Sequence, residues 1–136
     1  MRKNDIVSLW LANVDDVGKL KKITDASYTE DGDYIPSIFS DLFKLEYYDE
    51  DFCDISYVGS KYYVTELLSG FSYDYAIIPK FKKIIEKNNI CVGNFNSVIL
   101  LYNFEYHNNQ MPQVHDNCTF QFIASIKIKS GLLCPI

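Results

Sequence analysis

The sequence lacks the residue spacings that most enzymes and cofactor-binding proteins use. Its 136 residues include only six glycines, and these never cluster into the closely spaced loops that cradle phosphate groups. The two histidines, His107 and His115, lie in one polar stretch, with no HExxH spacing and no nucleophile elbow elsewhere in the chain. This pattern predicts a protein that is not an enzyme, with no catalytic residues and no cofactor.

Cysteine motifs, a signal segment and membrane-spanning runs are missing as well. The four cysteines, Cys53, Cys91, Cys118 and Cys134, are irregularly spaced and form no CxxC pair, which predicts free thiols in a reducing compartment rather than disulfides. The run IVSLWLA near the start has seven residues and no small-residue cleavage site after it. No run approaches the roughly 20 apolar residues that span a bilayer. We therefore expect a cytoplasmic protein.

Basic residues are outnumbered by acidic ones. The formal net charge is −5, so binding to nucleic acid or to an anionic membrane is disfavoured, because both need positive potential. Hydrophobic residues make up 48% of the chain and aromatic residues 15%, which is typical of a folded globular protein. The length predicts a single domain that comprises residues 1–136.

Alternating and β-branched patterns predict a mainly antiparallel sheet of about four strands. Asp5–Ala12 is apolar on both faces, which is typical of a central strand covered on both sides, with Trp10 in the core. Ser97–Tyr106 and Cys118–Lys129 are the longest other strands, and the polar stretch HNNQMPQVHDN between them predicts that they form a hairpin. Phe52–Val58 supplies a further strand. The strand order stays open.

Several short helical patterns lie between these strands. Asp15 or Asp16 caps a helix that extends to about Ala26. Its predicted inner stripe comprises Val17, Leu20 and Ile23, with Val14 as a further candidate. A second helix begins near Pro36, and Pro79 is expected to end or begin a helix, with an amphipathic stretch after it. Strands and helices do not alternate strictly, so the predicted fold class is α+β.

Acidic residues are concentrated in one segment. The window from Glu30 to Asp54, EDGDYIPSIFSDLFKLEYYDEDFCD, holds nine of the eighteen acidic residues and one base, Lys44. Like charges placed so close together repel one another and lower folding stability, which suggests a cationic partner or ion. The segment divides into two loops, EDGD and YYDED, separated by a short helix.

Tyrosines are interleaved with these acids, and tyrosine is enriched at the cores of protein interfaces. We predict a partner-binding surface in which Tyr34 and Tyr48 are anchors and the acids speed association. Its residues are Glu30, Asp31, Asp33, Tyr34, Tyr48, Asp49, Glu50 and Asp51. In the opposing interpretation, Tyr47 and Phe52 are core residues beside an exposed turn, and the two loops are ordinary solvated turns.

The alternative to a protein-binding surface is a different class of function. In it the protein is a metal- or small-ligand-binding module, or a weak hydrolase with paired carboxylates. Glu30, Asp31 and Asp33 surround Gly32 and superficially resemble a calcium loop, because hard cations bind several converging oxygens. The pattern D-x-[DN]-x-[DN]-G with a glutamate at the twelfth position is missing, so no metal ligands are assigned. A soluble adaptor whose acids serve only solubility is a third hypothesis.

Five blocks, in this order, resemble the immunity protein 22 family: VSLWLAN, YTEDGDYIPSIFSDLF, YYDEDFCDISY, LLSGFSY and VILLYNFEY. The similarity extends from about Ile6 to Tyr106 and continues into the last strand. The chain departs from the family pattern at Leu11-Ala12, where glycine is common, and in the long HNNQMPQVHDN stretch. The family offers no catalytic residues to transfer.

The resemblance implies a small cytoplasmic α+β protein of a bacterial polymorphic toxin system. Such a protein binds and neutralises a cognate toxin domain, often a basic nuclease, so that the producing cell survives. The implied partner is therefore a protein, with no nucleic acid and no membrane. We expect a monomer or a weak homodimer, since an exposed edge strand near the C-terminus could pair with itself.

Overall fold

The structure is a computed structural model that describes residues 2–107 and 111–129, with side chains described from residue 4 onward. About a third of the chain is helix and a third is strand. The strands are β1 Arg2–Asn13, β2 Ser27–Tyr28, β3 Tyr34–Ile35, β4 Cys53–Tyr57, β5 Ser97–Phe104, β6 Gln113–His115 and β7 Cys118–Lys127. The helices are α1 Val17–Thr24, α2 Ile38–Phe43, α3 Val64–Leu68 and α4 Asp74–Lys87, with 3₁₀ turns at Glu50–Phe52 and Val92–Asn94.

Five of the strands form one antiparallel sheet in the order β4-β5-β1-β7-β6. β1 is the middle strand, and its side chains alternate between two separate cores, as a strand covered on both faces must. Leu9 and Leu11 belong to one core, whereas Trp10 and Ala12 belong to the other. The predicted α+β fold class and the central position of the first strand are confirmed.

The predicted hairpin between the last two long strands is wrong. β5 and β7 do not pair, because β1 lies between them and pairs with both. β7 instead forms a hairpin with the short strand β6 through the tight turn at Asp116 and Asn117. Both turn residues have positive φ, 49° and 63°, as such two-residue turns require. Residues 108–110 of the predicted hairpin loop lie outside the described residues.

α3 and α4 cover the face of the sheet that carries Leu9 and Leu11, with Phe81 and Ile85 of α4 buried against it. Pro79 does not mark a helix boundary as predicted, since α4 begins at Asp74 and continues through it. Proline removes one helical hydrogen bond, but the ring of Pro79 is exposed and the packing of the buried side chains holds the helix together.

α1 and α2 cover the opposite face around Trp10, which is fully buried as predicted. Its ring meets Phe39 edge-on at 5.2 Å between centroids. Asp16 caps α1 by accepting a hydrogen bond from the Gly18 N–H, but Val17 is 55% exposed, so its predicted place on the inner stripe is wrong. α2 begins after the Ser37 cap, two residues later than Pro36. None of the helices in the described residues is long and apolar enough to cross a membrane.

Candidate functional surface

The first acidic loop is the turn of a small hairpin formed by β2 and β3. The Thr29 N–H donates to the Asp33 carbonyl oxygen at 2.9 Å, and the Asp33 N–H donates to Thr29 Oγ1 at 3.0 Å. Gly32 has φ +87°, a conformation that favours glycine. Glu30, Asp31 and Asp33 are all exposed. The loop was predicted, but its flanking strands were not, because two residues carry no readable periodicity.

The second acidic loop follows α2, which ends at Lys44 in the left-handed conformation. Asp49 caps the 3₁₀ turn, since its Oδ1 accepts a hydrogen bond from the Asp51 N–H at 2.9 Å. Asp49 is half-buried, whereas Glu50 and Asp51 are exposed. A capping aspartate therefore fixes the conformation in which this loop presents its two exposed carboxylates.

Three tyrosine rings connect the two loops. Tyr34 of β3 meets Tyr28 of β2 at 5.8 Å and Tyr47 of the second loop at 5.2 Å between ring centroids, both nearly edge-to-face. This geometry is favourable for aromatic pairs. Burial raises the pKa of Tyr34, and the negative charge of Glu50 adds to the rise. The two loops therefore meet on one side of the fold.

We call this surface the acidic tyrosine face. It comprises Tyr28, Glu30, Asp31, Asp33, Tyr34, Tyr47, Asp49, Glu50 and Asp51. Tyr28 and Tyr47 are 57% and 63% exposed, so their rings present apolar area to solvent. Within the described residues, no lysine, arginine or histidine forms an ion pair with the six carboxylates of the face. Among the described residues, no ion pair therefore offsets the negative charge of these six carboxylates.

The structure reverses the expected places of two neighbouring tyrosines. Tyr48, predicted as a partner-binding anchor, is only 8% exposed and packs edge-on against Phe104 at 6.1 Å. Burial raises its pKa to about 12. Tyr47, which the opposing interpretation assigned to the core, is the exposed residue. Residues 45–49 form no helix, and neighbouring side chains of an extended chain point to opposite sides. Tyr48 therefore exposes only a small part of its ring in this conformation.

Cys53 directly follows the second acidic loop, and its surroundings do not activate its thiol. Burial raises the pKa of Cys53 to about 11, and the surrounding carboxylates, led by Asp54, contribute to the rise. The thiol therefore stays protonated at neutral pH. Cys53, Cys91 and Cys118 are all free, as predicted, and Cys134 lies outside the described residues.

The histidines and carboxylates do not assemble a metal centre in the part of the chain that the structure describes. No group of three or more histidine, cysteine, aspartate or glutamate side chains there is placed to hold a metal ion. His107 Nε2 lies 3.2 Å from Glu105 Oε1, with the His107 side chain exposed and the Glu105 side chain half-buried. The carboxylates of the EDGD turn are likewise not part of such a group.

A larger cleft lies on the other side of the sheet, beside α3 and α4. Its volume is about 660 Å³, and its rim carries the neighbouring residues Tyr62 and Tyr63, which are 87% and 68% exposed. Lys82 and Glu86 of α4 contribute one charge of each sign to its lining. Sequence reasoning missed this cleft, although a tyrosine pair just before a short helix was a visible signal.

Together, these features define a small α+β protein in which exposed tyrosines lie beside carboxylates that form no ion pair with a basic side chain of the described residues. Aromatic residues are enriched at the cores of protein interfaces. The chain belongs to the immunity protein 22 family, which matches residues 7–128. No curated protein and no solved structure matches the chain. Membership supports an immunity function in general and implies a cognate toxin as partner. Immunity proteins of this kind are generally non-enzymatic.

Proposed function

We propose that this protein neutralises its cognate toxin by binding it stoichiometrically through the acidic tyrosine face. The observation that carries the proposal is the contact between Tyr34 and Tyr47, because it joins two acidic loops into one surface. Six carboxylates without basic partners among the described residues surround exposed rings there. Such a surface is suited to a basic protein partner, with the rings supplying contact area and the charges steering association.

The toxin is, by this proposal, a nuclease of a bacterial polymorphic toxin system, neutralised in the cytoplasm. A nuclease binds a polyanion through a basic cleft, and an acidic protein surface can occupy that cleft or dock beside it. A standard interface buries about 800 Å² on each partner. The protein exposes 7930 Å² in total, so the face needs to contribute only about a tenth of its surface.

Copurification tests this proposal. The protein is co-expressed with the C-terminal module of a large secreted protein encoded next to its gene, with a tag on one partner only. We expect a one-to-one complex and loss of the module's nuclease activity within it. Absence of a complex with any neighbouring gene product, at protein concentrations where both are folded, would overturn the immunity assignment for this partner.

Two matched variants locate the surface. Tyr47→Ala removes an exposed ring from the acidic tyrosine face, and Tyr62→Ala removes a still more exposed ring from the cleft on the other side of the sheet. Because an interface tyrosine contributes about 2 kcal/mol or more when it is a binding hot spot, Tyr47→Ala should weaken the complex about 30-fold. Tyr62→Ala should leave affinity unchanged. The reverse result would place toxin binding at the cleft instead.

A further inference from the structure

A small socket opens beside the acidic tyrosine face, at the end of β5. β4 pairs with β5 only between Ser97 and Leu101, so Tyr102–Phe104 continue beyond their neighbour. The second acidic loop packs along this uncovered edge and leaves a cavity of about 190 Å³. That is roughly the volume of six water molecules, enough for one long side chain and too small for most organic ligands.

Aromatic residues form most of the wall of this socket. They are Tyr47, Tyr48, Phe52, Tyr102 and Phe104, and Asp49 and Asn103 complete the lining. Rings that surround a cavity present π-electron faces or edges to its contents, and a cation within about 6 Å of a ring face is attracted to it. An aromatic wall of this kind accepts apolar groups as well, so the polar atoms decide between occupants.

Two of the polar groups of the lining have partners within the protein. The Tyr102 hydroxyl donates to Asp54 Oδ2 at 2.7 Å, and Asn103 Oδ1 accepts a hydrogen bond from the Asp5 N–H at 3.0 Å. Asp49 differs, because it carries a full charge and no basic side chain of the described residues pairs with it. Its Oδ1 caps the 3₁₀ turn, which leaves Oδ2 as an acceptor.

An apolar occupant would desolvate the Asp49 carboxylate without giving it a new hydrogen bond, at a cost of several-fold in affinity or more. A cationic side chain avoids this cost. Between the two candidates, an arginine fits better than a lysine, because its planar guanidinium is weakly hydrated, stacks on aromatic rings and hydrogen-bonds to carboxylates in a fixed geometry.

We propose that this socket receives one arginine side chain of the toxin, with the guanidinium between the aromatic wall and the Asp49 carboxylate. The inference rests on the proposed function, since it names the group that the acidic tyrosine face recognises. It also makes a prediction about the isolated protein. The socket itself should prefer a guanidinium to a neutral group of the same shape, whatever the identity of the toxin.

Nuclear magnetic resonance titration of the isolated protein tests this preference. The probe is Nα-acetyl-arginine amide, and the control is Nα-acetyl-citrulline amide, which has nearly the same shape and no charge. A third probe, Nα-acetyl-norleucine amide, represents an apolar occupant. All titrations are run at equal ionic strength, and backbone amide shifts are followed. We expect the arginine amide to produce saturable shifts at residues 47–52 and 102–104, with citrulline and norleucine producing much smaller ones.

Two variants sharpen the result. Asp49→Asn keeps the shape and the capping oxygen but removes the charge, so it should weaken arginine binding about tenfold or more. Glu66→Gln removes an exposed charge on α3 that belongs neither to the acidic tyrosine face nor to the socket, and should change binding less than about twofold. Unchanged amide spectra outside the loop and an unchanged unfolding midpoint establish that Asp49→Asn is folded.

Stronger shifts with norleucine amide, equal shifts with citrulline amide, or no saturable shift at residues 47–52 would each overturn the inference. None of these results bears on whether the protein copurifies with a toxin. Conversely, arginine binding at the socket without any toxin complex would support the preference of the socket for a guanidinium and would refute the proposed function.

Discussion

Burial of Tyr48 makes its hydroxyl group one of the groups through which the stability of this protein depends on alkaline pH. Its pKa rises from the usual value of 10.0 to about 12, mainly because burial penalises the phenolate, with hydrogen bonding to Ser40 partly offsetting this. A raised pKa in the folded state means that the unfolded chain loses its proton first. The stabilisation is therefore complete below pH 10 and is lost as pH rises toward 12.

The size of the effect follows from the shift. Two pKa units correspond to roughly 2–3 kcal/mol of unfolding free energy, of which about half is lost by pH 11. Tyr48→Phe has no proton to lose. The unfolding free energy of Tyr48→Phe should therefore fall less steeply than that of the wild type, and the difference between the two should shift by about 1 kcal/mol in favour of Tyr48→Phe from pH 9 to pH 11.

Urea denaturation followed by far-ultraviolet circular dichroism, at intervals between pH 8 and pH 11, measures this difference. Other buried groups, such as Tyr102, titrate in both proteins and cancel in the comparison. Parallel curves for the wild type and Tyr48→Phe would refute the reasoning, because they would mean that the Tyr48 hydroxyl is as solvated in the folded protein as in the unfolded chain.

Three further predictions concern other parts of the fold. At pH 8, Cys91, which is exposed, should react with iodoacetamide about tenfold or more faster than Cys53, as peptide mass spectrometry would reveal. Asn96 accepts from the Val14 N–H at 3.0 Å and donates to the Val14 carbonyl oxygen at 2.8 Å, so Asn96→Ala should lower the unfolding free energy by about 1–3 kcal/mol in urea. Pro79→Ala should raise it by about 1 kcal/mol, and a decrease would contradict a helix that is continuous through Pro79.

Much of the sheet was predictable because its strands carry strong local signals. β1 and β5 are apolar on both faces, and such strands can only lie inside a sheet that is covered on both sides. Their pairing was not predictable in the same way. β5 and β7 are the two long strands of the last third of the chain, but the insertion of β1 between them depends on long-range packing that no local pattern encodes.

α4 illustrates a second limit. A proline disfavours a helix locally by about 3 kcal/mol, so Pro79 reads as a boundary. The buried side chains on both sides of it, Ile77 and Phe81, outweigh this local preference once the helix packs on the sheet. Tertiary packing decided the outcome, and its contribution is invisible in a single sequence.

The candidate surface was likewise predictable from the sequence only in part. The concentration of acids at residues 30–54 identified both loops, and their turn residues were readable. The sequence did not reveal which of Tyr47 and Tyr48 faces outward, because this depends on where the chain leaves α2 and crosses β5. The socket at Phe52 and Phe104 arises from the unequal lengths of β4 and β5, which appear only in the folded sheet.

The central claim is that the negative charge of the acidic tyrosine face steers the toxin onto it. The most direct test is stopped-flow measurement of the association rate constant with the copurified toxin module. The wild type is compared with Glu50→Gln/Asp51→Asn and with the control Glu66→Gln/Glu86→Gln, at about 20 mM and about 200 mM salt. Both double variants remove two exposed negative charges, but the control pair lies on α3 and α4.

At low salt, we expect Glu50→Gln/Asp51→Asn to associate about 3- to 10-fold more slowly than the wild type and to show a flatter dependence on salt. The control should retain the rate and the salt dependence of the wild type to within about twofold. Equal rates for the two double variants would contradict the account, because net charge alone, rather than the acidic tyrosine face, would then govern the encounter.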